Sequence, residues 1–222
     1  MTALTLHAIP TWASVIIRFA LEEMGEPYTL SQKDYDAGDL GSAAFRAINP
    51  MGLIPAMETP DGPMFETAAI LLWLADRSGK LAPGPQDPER AAFLSWLFFT
   101  SNTLHTAAMA LIYPDLAAGE AAAGAAIIVA HDQVLTRLGL IEAMITARQP
   151  RWLSAAEPGV LGYYIGTLVR WMTMLPPTPF AIGLDDFPAL RAVLAAHEAR
   201  PAALRVAASD GIGPTPFTNP VS

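Results

Sequence analysis

The periodicity of the apolar residues changes once along this chain, near residue 80, and nothing else in the sequence restricts the fold as strongly. Before that point short alternating runs are interleaved with helical ones. Residues 4–9 alternate as a strand does and stop at Pro10. Over residues 13–24, Ile16, Ile17, Ala20, Leu21 and Met24 recur at helical spacing, and Gly25 follows as a natural C-cap. Residues 27–30 read as a second strand and 42–48 as a short helix. Residues 56–59 and 64–65 form a hairpin around the turn chemistry of Pro60, Asp61, Gly62 and Pro63. Thr67–Ser78 is a helix with Ile70, Leu71, Trp73 and Leu74 on its buried side. The order βαβαββα predicts an α/β layer, with a right-handed crossover joining the first two strands.

Leu81-Ala82-Pro83-Gly84-Pro85-Gln86-Asp87-Pro88 breaks any helix and is the best domain boundary. Beyond it only helical patterns remain, over residues 89–113, 120–147, 160–174 and 187–198. Pro114, Pro150, the run Pro176-Pro177-Thr178-Pro179 and Pro201 punctuate them, and residues 211–222 form an irregular tail. The division is therefore 1–82, a linker at 83–88, and an all-helical region at 89–222. The longest uncharged apolar run, residues 121–130, is about half of the ~20 residues a membrane-spanning helix needs, so no membrane association is expected. A charge of −8 with 13 scattered Lys and Arg argues against a nucleic-acid partner. Four histidines without ligand spacing argue against a metal. The chain has no cysteine, so any thiol chemistry uses a thiol that a substrate brings.

Asn49-Pro50-Met51-Gly52-Leu53-Ile54-Pro55-Ala56, followed by Phe65-Glu66-Thr67-Ala68-Ala69-Ile70, resembles the cytosolic glutathione transferase superfamily, which writes N-P-x-G-x-[IV]-P-A-L, a hairpin, then E-[ST]-x-A-I. The segment from Phe19 to Tyr28, and Phe187-Pro188-Ala189-Leu190 with Ala199-Arg200-Pro201, agree in order. The resemblance implies a thioredoxin-like N-terminal domain, an all-helical C-terminal domain, a cytoplasmic location and a twofold homodimer. It also implies glutathione as substrate, with the thiolate conjugated to an apolar electrophile. Glutathione-dependent reduction of peroxides or disulfides, and a non-catalytic binding module, are the alternatives.

An Ile–Pro step keeps only about 0.5–1 kcal/mol of trans preference, and the resemblance implies that Pro55 is cis. Ile54 would then offer an unpaired N–H and C=O to a peptide laid antiparallel, as in strand addition. Taken alone, the dipeptide more often marks only a tight turn before a strand. Glu66 suits an α-ammonium, while Thr67 and a helix N-terminus suit a carboxylate; the plain alternative is a helix start with Thr67 as N-cap. Thr11 falls where serine-type members carry their catalytic serine, Ser14 is a second hydroxyl in the loop, and both are also candidate caps of the first helix. Ala13 stands where cysteine-type bacterial members carry cysteine. Leu53 replaces a frequently polar residue, and Lys33 is a candidate for the glycine end. Asn102-Thr103-Leu104-His105 resembles the bacterial S-E-L-H segment, which implies that Asn102 and Thr103 reach the partner subunit's glutathione. Trp12, His105, Met109 and Tyr113, with Phe93, Trp96 and Phe99, are candidates for the co-substrate side. Gly159 and Gly162 stand where the family writes the Ser and Asp of a capping box, predicting a softer helix start there.

Overall fold

The strands and helices before residue 80 form where the alternation places them. The computed structural model describes residues 4–175 and 179–221; Pro176, Pro177, Thr178 and Ser222, part of the punctuation and tail read from the sequence, lie outside these. Strand β1 (Leu4–Ala8) leads to α1 (Ser14–Met24), which ends on Gly25 in the left-handed conformation, φ 70°. Then follow β2 (Tyr28–Gln32), α2 (Ala43–Arg46), β3 (Ala56–Thr59), β4 (Gly62–Phe65) and α3 (Thr67–Ser78). The sheet order is β2-β1-β3-β4, with β1 parallel to β2 and antiparallel to β3, and β3 antiparallel to β4. Leu6 lies opposite Leu30 and Met57, and Ala56 lies opposite both His7 and Phe65. This is a thioredoxin-like layer. The hairpin turn is tighter than the sequence suggested. Strand pairing resumes at Gly62, because the Thr59 hydroxyl donates to Gly62 O at 2.8 Å and accepts from Asp61 N at 3.1 Å.

The second region holds only helices among its described residues: α4 (Arg90–Phe99), α5 (His105–Ile112), α6 (Pro114–Ala118), α7 (Ala123–Arg148), α8 (Val160–Thr173), α9 (Pro188–Glu198) and α10 (Pro201–Asp210), with short turns between them. The helix expected over 89–113 is interrupted by a π-helical turn at Thr100–Leu104. Helix α10 is an addition; Pro201 opens it at its first turn, where the missing N–H costs nothing. One helix, Glu120–Arg148, is long and apolar enough to cross a membrane by length and composition. This corrects the inference from residues 121–130, because the few charges beyond that run do not lower the average enough. In the fold it packs on α5, α6 and α9, burying Val134, Leu138, Ile141 and Ile145.

One continuous core joins both regions through α1 and α8. Phe19 stacks on Tyr163 at 5.4 Å and meets Phe217 edge-on at 5.2 Å. A polar seam lies beside it. Arg18 pairs with the buried Asp210, Glu23 accepts from Arg200 and from Tyr163 at 2.7 Å each, and Glu22 pairs with Arg205 at 3.2 Å. These contacts fix the helical region against α1, and so against the loop that precedes it.

Candidate active site

Asn49 shapes the turn before β3. Its side chain donates to Leu53 O at 2.6 Å and accepts from Met51 N at 3.1 Å, which leaves Leu53 exposed and Ile54 as an open backbone edge just before the start of β3. The Ile54–Pro55 peptide is cis. Among the described residues the backbone N–H and C=O of Ile54 make no hydrogen bond. Under this edge Ile54 packs with Leu40, Phe45 and Ala56. The Lys33 ammonium sits over the Phe45 ring, 5.9 Å from its centre, beside the same edge.

Glu66 precedes α3 with φ 73°, a left-handed value that costs a non-glycine residue about 1–3 kcal/mol and is characteristic of ligand sites. Its exposed carboxylate makes no hydrogen bond or ion pair among the described residues. No side chain caps α3, so its first-turn N–H groups are free to meet an anion. Thr67 does not act as N-cap; it is buried, with its hydroxyl against the Tyr164 phenol.

The loop after β1 carries Thr11 and leads directly into Ser14, the first residue of α1, and the fold separates these two candidate hydroxyls. Ser14 is fully buried; its hydroxyl donates to Ile9 O at 3.0 Å and accepts from Ile9 N at 3.2 Å. Its single proton is committed to the backbone, which removes it as a thiol activator. Thr11 is exposed and holds φ 67°, a rare conformation for a β-branched residue. Its carbonyl accepts from the Trp171 indole N–H at 3.0 Å. Neither hydroxyl caps α1.

From the helical region, His105 approaches with Nδ1 2.9 Å from the Tyr164 hydroxyl and its ring 6.0 Å from that of Trp171. Burial lowers the His105 pKa to about 4, so the imidazole is neutral near pH 7. The Ser101 and Thr67 hydroxyls both lie against Tyr164, whose own ionisation burial pushes well up. Asn102 and Thr103 lie in the π-helical turn, Asn102 exposed with its side chain accepting from Ser101 at 2.9 Å. Such turns recur at functional sites. Met109 is one helical turn beyond His105 on the same face, and Tyr113, half exposed, ends α5. Two candidates separate from this group. Trp12 lies against Tyr35, ring centres 5.2 Å apart, and Phe93 is a core residue packed edge-on to Trp152.

A family model described as the N-terminal domain of glutathione S-transferases matches residues 14–77. A glutathione transferase structure from Burkholderia graminis, with two glutathione molecules bound per subunit, superposes with a TM-score of 0.79 at 28% identity, covering 92% of this chain and 87% of that one. These likenesses support the glutathione transferase superfamily. Among curated members, Glutathione S-transferase F14 of Arabidopsis thaliana is 31% identical over 111 residues, 48% of this chain and 44% of that protein. Disulfide-bond oxidoreductase YfcG of Escherichia coli is 37% identical over 101 residues, 42% of this chain and 46% of that protein. The matches span a little under half the length of these two relatives.

Within that superfamily frame, the residues the sequence did not single out are Tyr164, Trp171 and Ser101. Tyr164 and Trp171 are seven apart on α8, two turns along one face, a spacing that in sequence is indistinguishable from ordinary core.

Proposed function

We propose that this chain is a glutathione-dependent enzyme that ionises the glutathione thiol and transfers the sulfur to an apolar electrophile. The observation that carries this is the pairing of an open backbone edge at Ile54 with the uncapped, strained start of α3 at Glu66. Residues 1–82 bind glutathione and residues 89–222, beyond the linker at 83–88, supply the co-substrate side. Ile54, set by Pro55, pairs with the cysteinyl backbone. Glu66 takes the γ-glutamyl ammonium; Thr67 and the first-turn N–H groups take its carboxylate. Lys33 and Leu53 flank the glycine end. The Thr11 hydroxyl donates to the thiolate. Lowering a thiol pKa by about two units needs roughly 2.7 kcal/mol, within reach of one charged hydrogen bond. Asn102 and Thr103 serve the neighbouring site in a twofold homodimer, and His105, Met109 and Tyr113 border the electrophile. A cytoplasmic location accompanies this reading.

A second chemistry uses the same thiolate. It attacks a disulfide sulfur, forms a mixed disulfide and expels a thiolate; a second glutathione then attacks the mixed disulfide, giving glutathione disulfide and the free thiol. With no cysteine in the chain, both sulfurs must come from glutathione. The two glutathiones in the Burkholderia graminis structure and the likeness to a disulfide-bond oxidoreductase favour this version. Calorimetry with glutathione, followed by turnover with an aryl halide and with a small disulfide, tests both. Saturable binding is expected, and the faster substrate assigns the chemistry. Binding without turnover of either substrate refutes the enzymatic reading in favour of a binding module; no binding refutes the site.

A further inference from the structure

Trp171 belongs to none of the motifs that mark the site, yet its indole N–H reaches the loop after β1 and donates to Thr11 O at 3.0 Å, a full-strength geometry. That carbonyl belongs to the peptide between Thr11 and Trp12. Holding it fixes ψ of Thr11, the residue whose φ of 67° is disfavoured for a β-branched side chain. Released, the loop relaxes toward negative φ and carries the hydroxyl with it. The donor, by contrast, is held firmly. Trp171 is half-buried on α8, a helix otherwise buried over nearly its whole length, and its ring lies against His105. His105 is in turn tied to Tyr164, one face and two turns back along α8, where the Thr67 hydroxyl also rests. One helix of the second region thus supports the loop at Thr11 and the start of α3 at Thr67 together.

We propose that Trp171 is a positioning residue, its indole N–H holding Thr11 in the left-handed conformation that directs the hydroxyl at the substrate thiol. This rests on the assignment of Thr11 as thiol donor. The tryptophan touches no substrate; it acts through the Thr11 peptide.

The test compares wild type with Trp171→Phe, which keeps a ring and removes the donor. The titration of the bound thiolate is followed by its ultraviolet absorbance with glutathione at saturation. The expected result is a bound-thiol pKa raised by about one unit and turnover at pH 6.5 reduced roughly ten-fold, with the glutathione dissociation constant within two-fold of wild type. A folded Trp171→Phe with an unchanged titration overturns the proposal while leaving the glutathione reading intact. A wild type that binds no glutathione overturns that reading and the proposal with it. The indole N–H of Trp171 in the unmodified protein gives a second measurement, independent of whether the variant folds. Slow hydrogen exchange and a nitrogen-15 resonance that moves when glutathione binds are expected; exchange at the rate of an exposed indole overturns the proposal.

Discussion

His197 caps a helix it does not belong to. Helix α8 starts at Gly159, which has no side chain to accept an orphan N–H, and its third helical residue is Gly162, which has none to reach back. The space is filled from α9. The imidazole Nε2 of His197 accepts from Gly159 N at 3.0 Å, and Nδ1 stands 2.9 Å from Val193 O. An amide only donates and a carbonyl only accepts, so this pair of partners specifies the neutral ring with its proton on Nδ1. A Cβ on Gly162 would collide with the ring, so the glycine and the histidine depend on each other. His197→Ala leaves the buried Gly159 N–H without a partner, which costs about 1–3 kcal/mol, and opens a cavity beside Tyr163. At about 2–4 °C per kcal/mol for a chain of this length, the thermal midpoint falls by roughly 4–10 °C. His197→Gln keeps an acceptor and loses less. Gly162→Asp, which restores the superfamily's own residue, destabilises wild type by collision but recovers in the His197→Ala background, where its carboxylate reaches Gly159 N.

The same geometry sets an acid limit. Burial lowers the folded-state pKa of His197, among neighbours that include Glu23, Arg200 and the Tyr163 ring. A lowered histidine pKa stabilises the fold above the unfolded value of about 6.5 and loses that contribution as pH falls from there through the folded pKa. Urea unfolding between pH 7.5 and 5 should show stability declining below 6.5. The decline should be shallower in His197→Gln by up to about 1.4 kcal/mol per pH unit, one proton's worth. Equal midpoints and equal acid slopes in wild type, His197→Ala and His197→Gln would refute the cap.

Glu66→Ala should weaken glutathione binding roughly ten-fold to a hundred-fold, since a charged hydrogen bond is worth about 1.5–3 kcal/mol; calorimetry checks it. Thr11→Val should raise the bound thiol's pKa by about a unit or more. Ser14→Ala should leave that titration unmoved but cost about 1–3 kcal/mol in urea unfolding, through the orphaned Ile9 groups. His105, with a pKa of about 4, adds to the acid loss in the same direction as His197; its full contribution of about 3 kcal/mol at neutral pH should be missing from the pH dependence of His105→Gln.

What the sequence made legible, and what it hid, divides along the range of the interactions. Strands, helices and the Ile54 turn rest on neighbours within a few residues, so alternation, Gly25 as a C-cap and the Asn-Pro-x-Gly turn announced them. The caps of the helical region rest on residues far away in the chain. Gly159 and Gly162 read as a weakened helix start because the acceptor stands 38 residues on, in His197. The start of α9 is served by Glu142 of α7, whose two oxygens accept from Ala189 N and Leu190 N at 2.9 and 2.8 Å. Phe217 and Thr218 in the irregular tail are held by Glu198. The site obeys the same division. Ile54, Glu66 and Thr67 are proposed from a contiguous motif, whereas the bonds that tie Ser14 to Ile9 depend on how the chain closes and leave no mark in the sequence. Trp171 was invisible because its partner, Thr11, lies 160 residues away. A candidate binding edge can therefore be written in a local motif, while the conformation of the proposed thiol donor, Thr11, is held by the packing of a helix that the motif does not mention.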